Sequence, residues 1–369
     1  MSSEPYTVRW GILACGWIAS VFSEDLLRDP ATRNVHDVHH HIQAVASSTS
    51  VDKAKDFIAK VKAPSSTTAY GSYEELVADP NIDIIYVATP HSHHFQNCLL
   101  ALNAGKNVLC EKPFTVNAPQ LEILIKVAKE KGVFMMEAVW TRFFPLSREV
   151  RRLVAEGEIG DVKKVFAWLD LAQDPEEKYK DGKHRMVNPD LAGGALLDLG
   201  LYPLTWLFQT LYHPLPPSSQ SSPKVTSSIV FHPPTGVDAS NIVLLTFPST
   251  GALGVASSGM HVSNDTSSLG LPCARILGTK GEITITHPAY CPTKFTVYKE
   301  GEEPVERVFP IPGAGMFWEA DETARCLRDG KKECEVMPLA ESLEVMRVMD
   351  SVRAQNGFRY PEEIESVEY

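Results

Sequence analysis

The sequence predicts an α/β protein with an N-terminal doubly wound parallel sheet and a second α/β domain built on a large, open-faced, mainly antiparallel sheet. Three observations carry this reading. From Thr7 to Ala138, short apolar runs alternate with amphipathic helical stretches. Beyond Lys224, strand-like runs follow one another with no helix between them, which is how antiparallel strands are written. A chain of 369 residues is also too long for one core, so at about 150 residues per domain its length suggests two. The expected division places a first domain at residues 1–140 and a second at 141–369.

In the first domain, strands are predicted at Val8–Leu13, Ile42–Ser47, Ile84–Ala88, Asn107–Cys110 and Val133–Glu137. All are too apolar to leave one face in water, so they read as buried parallel strands. Between them, Trp17–Arg28, Asp52–Lys62, Ser72–Ala78, His93–Asn103 and Pro119–Lys131 carry apolar residues three and four apart, as crossover helices do. After Trp140 the rhythm changes. A helix near Ser147–Glu156, a strand over Asp161–Leu171 and a long apolar helix near Gly194–Leu211 come next. Strand-like runs then follow at Thr226–Phe231, Ile242–Phe247, Gly251–Ser258, Ala274–Leu277, Ile283–Thr286, Phe295–Tyr298 and Val305–Phe309. Helical patterns at Trp318–Arg328 and Ala340–Gln355 close the chain, and the Pro- and Ser-rich stretch His213–Pro223 reads as a solvent loop.

Composition narrows the function. Lys and Arg number 35 against 46 Asp and Glu, a net charge of −11. Such a surface repels a phosphate backbone, so neither nucleic acid nor an anionic membrane is expected as a main partner. No run reads as the roughly 18 apolar residues of a bilayer span. The seven cysteines form no CxxC pair and read as reduced thiols, and with no secretory leader this predicts a cytoplasmic protein. His39, His40 and His41 look like a metal tract, but neighbours on a strand point to opposite faces and cannot converge on one ion. They read as an exposed lead-in to the second strand, and no metal is expected.

The first strand runs into Ala14-Cys15-Gly16-Trp17-Ile18-Ala19, which opens a helix. The dinucleotide fingerprint G-x-G-x-x-G/A needs a tight turn, a glycine that lets backbone approach a pyrophosphate, and a small third residue. Gly16 and Ala19 fit, and Ala14 stands in the first glycine's place. Ala14, Gly16, Trp17 and Ile18 are therefore the expected cofactor cradle; the competing reading is a glycine that only tightens a turn. The second strand ends in Ser47, Ser48, Thr49 and Ser50, with Lys53 nearby, where an Asp or Glu would repel a 2′-phosphate. Hydroxyls and a lysine there accept that phosphate, so NADP is preferred over NAD.

After the fourth strand stands Glu111-Lys112-Pro113, a lysine at the sheet edge where such folds bind ligands. Together with ATPHSHH (88–94), GKNVLCEKP (105–113), MEAVWTRFFP (136–145), GGALLDLGLYP (193–203), GTKGEI (278–283) and AGMFWEA (314–320), it closely resembles the glucose-fructose oxidoreductase, inositol dehydrogenase and rhizopine-catabolism family of NAD(P)-dependent oxidoreductases. WTRFFP and GGALLDLGLYP point to its NADP-dependent D-xylose dehydrogenase and dimeric dihydrodiol dehydrogenase branch. The match spans nearly the whole chain. The departures are Ala14, His91 where many members carry Asn, and the long Pro/Ser loop.

The resemblance implies a Rossmann domain followed by an α/β domain with an open-faced sheet. It assigns Lys112 as catalytic or orienting beside the nicotinamide, and Tyr202 as the proton-transfer residue. Asp198, four residues earlier, falls on the same helix face as Tyr202, and a carboxylate in the apolar run ALLDLGLYPLTW needs a partner if buried. Trp140 and Arg142 match the substrate-facing segment, with the guanidinium available to sugar hydroxyls or to Asp198. Tyr290 is either a further pocket aromatic or simple packing. Thr89, Pro90, His91, His94 and Glu111 are expected around the cofactor.

The implied reaction is hydride transfer from C1 of a cyclic aldose, D-xylose preferred, to NADP⁺, giving a lactone. Tyr202 takes the proton with its pKa lowered by Lys112, or a buried Lys112 serves as the base itself. Oxidation of an aromatic trans-dihydrodiol and a non-catalytic NADP-binding regulator are the other readings. An uncovered sheet face would expose apolar residues, so a homodimer through that face is expected.

Overall fold

The computed structural model describes residues 4–264 and 270–368. Its first sheet contains six parallel strands: β1 (Tyr6–Leu13), β2 (Val38–Ala46), β3 (Thr68–Tyr70), β4 (Ile84–Val87), β5 (Asn107–Glu111) and β6 (Met135–Ala138), in spatial order β3-β2-β1-β4-β5-β6. The crossovers are α1 (Trp17–Leu26), α2 (Val51–Val61), α3 (Tyr73–Ala78), α4 (His94–Asn103) and α5 (Ala118–Lys131). Both faces are covered, and Val8, Trp10, Ile12 and Leu13 of β1 are wholly buried. Local chemistry sets the helix ends: Ser50 caps α2 by accepting the Lys53 amide, and Asn117 caps α5 by accepting that of Gln120. β3 went unpredicted because three partly buried residues carry no period.

Chain order reverses beside β1, whose neighbours are β2 and β4. The crevice at that switch lies outside the carboxyl ends of the strands. It receives the Ala14–Gly16 turn after β1 and the Thr89–His94 segment after β4.

Beyond α6 (Pro145–Ala155) the chain builds eight strands: β7 (Val162–Asp170), β8 (Lys224–Phe231), β9 (Asp238–Phe247), β10 (Ala252–Gly259), β11 (Pro272–Gly278), β12 (Glu282–Thr286), β13 (Lys294–Tyr298) and β14 (Val305–Val308). Their order is β14-β13-β12-β11-β7-β10-β9-β8, antiparallel except where β7 meets β10. A short α7 (Pro175–Lys178) and the long helix that ends in α8 (Leu201–Leu211) separate β7 from β8. α8 lies against β7 and β10 with all its residues buried. The stretch Pro189–Leu211 has the length and hydropathy of a membrane span, contrary to the sequence reading, but 94% of its most apolar window is buried inside the protein. It is the core helix of the second domain.

The expected division at residue 140 separates the two sheets but not the helices. α9 (Phe317–Arg328) returns to the first sheet and packs on β1, β2 and α1, while α10 (Leu339–Gln355) touches α5, β6, α8 and β8, and α11 (Glu362–Glu365) ends the chain. Two polar clamps fix α9. Asp25 of α1 accepts the amides of Ala314, Gly315 and Met316, and Asp321 takes both Arg33 nitrogens at 2.7 and 2.8 Å. The histidine tract belongs to this contact. Its side chains alternate as expected, but His40 is not an exposed lead-in: it is buried, accepts the Trp10 indole N–H at 3.1 Å, and meets Asp321 at 2.9 Å through its other nitrogen.

Candidate active site

The Gly16 backbone, with φ −77° and ψ −179°, is a conformation open to any residue. A Cβ placed there would meet only the Ala88 carbonyl, at 4.0 Å. The protein's own packing therefore does not require glycine at this position, and the space a side chain would take is left for a ligand at the N-terminus of α1. Ala14 adopts φ +93°, the left-handed side that the missing glycine would enter freely. Trp17 is 74% exposed beside the turn and Ile18 half-buried. Across the crevice, Ser48 and Lys53 face solvent at the start of α2, whereas Ser47 is buried with its hydroxyl 3.1 Å from that of Thr49.

Lys112 is delivered by the end of β5, with a cis peptide to Pro113. Its ammonium donates to the Asp198 carboxylate and to the Asp198 main-chain carbonyl, each at 2.9 Å, and lies 4.9 Å from the centre of the Tyr202 ring. Asp198 and Tyr202 come from the second domain. They sit on a π-helical turn, Leu196–Gly200, that runs into α8, a local widening frequent at functional sites. Asp238 anchors the turn by accepting the Leu196 amide at 2.6 Å. Gly194, at φ +124°, sits so close to the same carboxylate that a Cβ would fall 2.1 Å from its Oδ1, which accounts for glycine in GGALLDLG.

The charges are mutually supporting. Burial favours neutral Asp198, but Lys112, Arg185 and His91 outweigh it and hold the carboxyl well below its usual range. Burial also works against the Lys112 charge, yet Asp198, Tyr202 and Glu111 hold its pKa above the ordinary value. The pairing with Asp198 thus favours the charged form of Lys112, which weighs against the alternative in which burial makes it the base. For Tyr202, burial pushes the phenol up to about 12 against the pull of Lys112, so the expected lowering is present as a force but does not prevail in the free protein. The Tyr202 oxygen accepts the Trp140 indole N–H at 2.9 Å. Tyr290 stacks on Trp140 with ring centres 6.0 Å apart and stands 5.7 Å from the Tyr202 ring, so it joins the aromatic wall.

Three expected residues are placed differently. Arg142 is buried, paired with Glu341 and the Val336 carbonyl on the far side of its turn, and reaches neither substrate space nor Asp198. Arg185 takes that place, donating to Asp198 Oδ2 at 3.0 Å from a loop with no periodic pattern. The only signal for it was indirect: a buried carboxylate has two oxygens to satisfy, and Lys112 meets one. His94 has both ring nitrogens committed to carbonyls, Pro113 at 2.8 Å and Thr89 at 2.9 Å, so it ties the β4 and β5 ends together instead of facing the cofactor. Glu111 turns inward, accepting the Tyr86 hydroxyl and the Lys112 amide. His91 does belong to the site, 3.8 Å from Asp198 and bound to the Ala192 carbonyl, with burial lowering its pKa to about 3. Thr89 is half-buried and Pro90 exposed at the crevice.

Known proteins resemble this chain in sequence and fold. The D-xylose 1-dehydrogenase (NADP(+)) of Hypocrea jecorina is 50% identical, covering 98% of this chain and 95% of its own. Human trans-1,2-dihydrobenzene-1,2-diol dehydrogenase is 35% identical over 96% of this chain and 99% of its own. Among solved structures, aldose-aldose oxidoreductase from Caulobacter crescentus shares the fold, with TM-score 0.76 at 24% identity over 94% of this chain and 97% of that one. Residues 8–139 match the oxidoreductase family with an NAD-binding Rossmann fold, and residues 147–284 match the GFO/IDH/MocA C-terminal domain. With a cofactor turn from the first and a Lys-Asp-Tyr cluster assembled across both, the chain belongs to the GFO/IDH/MocA oxidoreductase family.

Proposed function

We propose that the protein oxidises C1 of cyclic D-xylose to D-xylono-1,5-lactone with NADP⁺. The observation that carries this is the Lys112–Asp198–Tyr202 cluster at the carboxyl end of β5, two strands from the β1 strand that leads into the glycine turn, in a chain half identical to a D-xylose 1-dehydrogenase (NADP(+)). The Gly16 cradle, Ser48 and Lys53 are the groups that would hold the cofactor's pyrophosphate and 2′-phosphate. When bound, NADP⁺ supplies the nicotinamide that takes the hydride from C1.

The chain's own residues manage the proton and the sugar. The basic form of Tyr202 is its phenolate, favoured by the Trp140 N–H and the Lys112 charge, and Tyr202 Oη takes the C1 hydroxyl proton to become the phenol. Asp198 keeps Lys112 charged and in place, and Arg185 closes the other side of that carboxylate. Trp140 and Tyr290 offer flat apolar faces to the sugar's C–H surface. Tyr202→Phe should lower kcat by about 10³-fold or more, within the span of general acid–base catalysis, while fluorescence titration gives unchanged NADP⁺ affinity. Near-normal kcat would remove Tyr202 from the mechanism.

The aromatic wall of Trp140, Tyr202 and Tyr290 favours one second reading, oxidation of an aromatic trans-dihydrodiol. Initial rates with D-xylose, D-glucose and a benzene dihydrodiol at equal concentration separate the two, and D-xylose as the poorest of the three would sink the sugar assignment. The sequence's reading of its cysteines as reduced thiols supports a reducing compartment, the cytoplasm. The uncovered face of the second sheet supports a homodimer.

A further inference from the structure

Away from the active site, Glu322 and Cys326 lie four residues apart on α9, hence side by side on one helix face. Cys334 returns to them from the segment between α9 and α10. One ligand atom from each of the three lies within 4.8 Å of the other two. Both thiols are buried, while the Glu322 side chain keeps 19% of its surface, so the cluster opens toward solvent on its carboxylate side. Arg148 of α6 holds Glu322 Oε2 at 2.8 Å.

We propose that Glu322, Cys326 and Cys334 form a binding site for a thiophilic divalent cation of the zinc class. Ligands around tetrahedral zinc stand about 3.5–4 Å apart given metal–ligand bonds of about 2.0–2.3 Å, a spacing these three groups reach with small side-chain adjustments. Charge points the same way. A cation binding here displaces both thiol protons to solvent, and the two thiolates and carboxylate beside the Arg148 guanidinium then carry two net negative charges, which a divalent cation cancels. Sulfur donors select zinc or cadmium over magnesium and calcium, and the carboxylate sets the site apart from a simple disulfide pair. Three protein ligands leave a fourth position for water on the open side. Without a CxxC spacing, these three residues carry no local metal signature.

The site lies on a join between layers. The segment carrying Cys334 also presents the Lys332 carbonyl to the Met135 amide at 3.1 Å and the Val336 carbonyl to Arg142 at 2.7 Å. A bound cation would staple α9 to this segment, so its effect is on stability and not on turnover.

The test titrates the reduced, chelator-treated full-length protein with cadmium and zinc chloride. Sulfur-to-cadmium charge-transfer absorption should saturate at one equivalent, zinc should displace it, and Tm should rise. Cys326→Ser with Cys334→Ser abolishes the band, whereas Cys98→Ser keeps it. Should the double variant fail to fold, Glu322→Gln retains both thiols and should weaken cadmium binding about tenfold or more with unchanged xylose turnover. A band that survives the double variant, affinity unchanged in Glu322→Gln, or a Cys326–Cys334 disulfide in the protein before any reduction overturns the proposal.

Discussion

Two arginines show how far a residue's type leaves its role open. Arg142 and Arg185 carry the same group, yet one is sealed against Glu341 and the other is half exposed against Asp198. Arg142→Met leaves the buried Glu341 carboxylate with only His213 to hold it and should cost about 3 kcal/mol in urea unfolding. Arg185→Ala should change stability by less than about 0.5 kcal/mol while raising KM for the sugar severalfold. A stable Arg142 variant with weakened substrate binding would reverse this assignment. Gly16 gives a second contrast at this scale. Gly16→Ala fills space the protein does not use, so urea stability should hold within about 0.5 kcal/mol while NADP⁺ affinity, read by fluorescence titration, falls tenfold or more. Equal affinity would return Gly16 to the role of a plain turn residue. Lys112 and Tyr202 were legible through the family resemblance of their motifs, and Asp198 through its four-residue spacing from Tyr202; the inward turn of Glu111 and the double commitment of His94 were not, since each depends on where distant carbonyls and hydroxyls lie.

At the scale of elements, the parallel strands were readable because burial on both faces leaves an unbroken apolar run. Strand ends shifted by a residue or a few, and β2 began four residues early because its lead-in is polar by sequence, while His40 within it is buried against Asp321 of α9. β6 carries a titratable consequence. Glu137 sits in this buried strand, accepting the Phe114 amide, and burial raises its carboxyl from 4.5 to about 7. The folded chain thus holds the proton more tightly than the unfolded one. Its stabilising contribution is complete below about 4.5 and is lost as pH rises through about 7. Glu137→Gln keeps the acceptor for Phe114 and removes this dependence. Urea unfolding from about pH 4.5 to pH 8 should show the parent losing up to about 3 kcal/mol more than the variant; parallel curves would exclude Glu137 as the titrating group.

For the whole molecule, the decisive feature is that one face of the eight-stranded sheet is left uncovered. Along β9, Ile242 and Leu244 are exposed between buried neighbours, and strand pairing places Val255 beside Leu244, Phe166 beside Val255, and Trp168 beside Ser257. An apolar stripe of this kind is the sort of surface that a second subunit would cover. Sedimentation at micromolar concentration should give twice the chain mass, and Ile242→Asp with Leu244→Asp should give the single chain; a monomeric parent would refute the dimer. The sequence by itself determined the two sheet types and the cofactor turn, because periodicity and short motifs are local properties of a chain, and its resemblance to a known family pointed to Lys112, Asp198 and Tyr202. Tertiary structure alone decided that α9 returns to the first sheet, that Arg185 and not Arg142 balances Asp198, that pairing with Asp198 favours a charged Lys112, and that Glu322, Cys326 and Cys334 meet. The reason is physical: charge balance and burial depend on which remote segments share a low-dielectric space, and no local pattern encodes that.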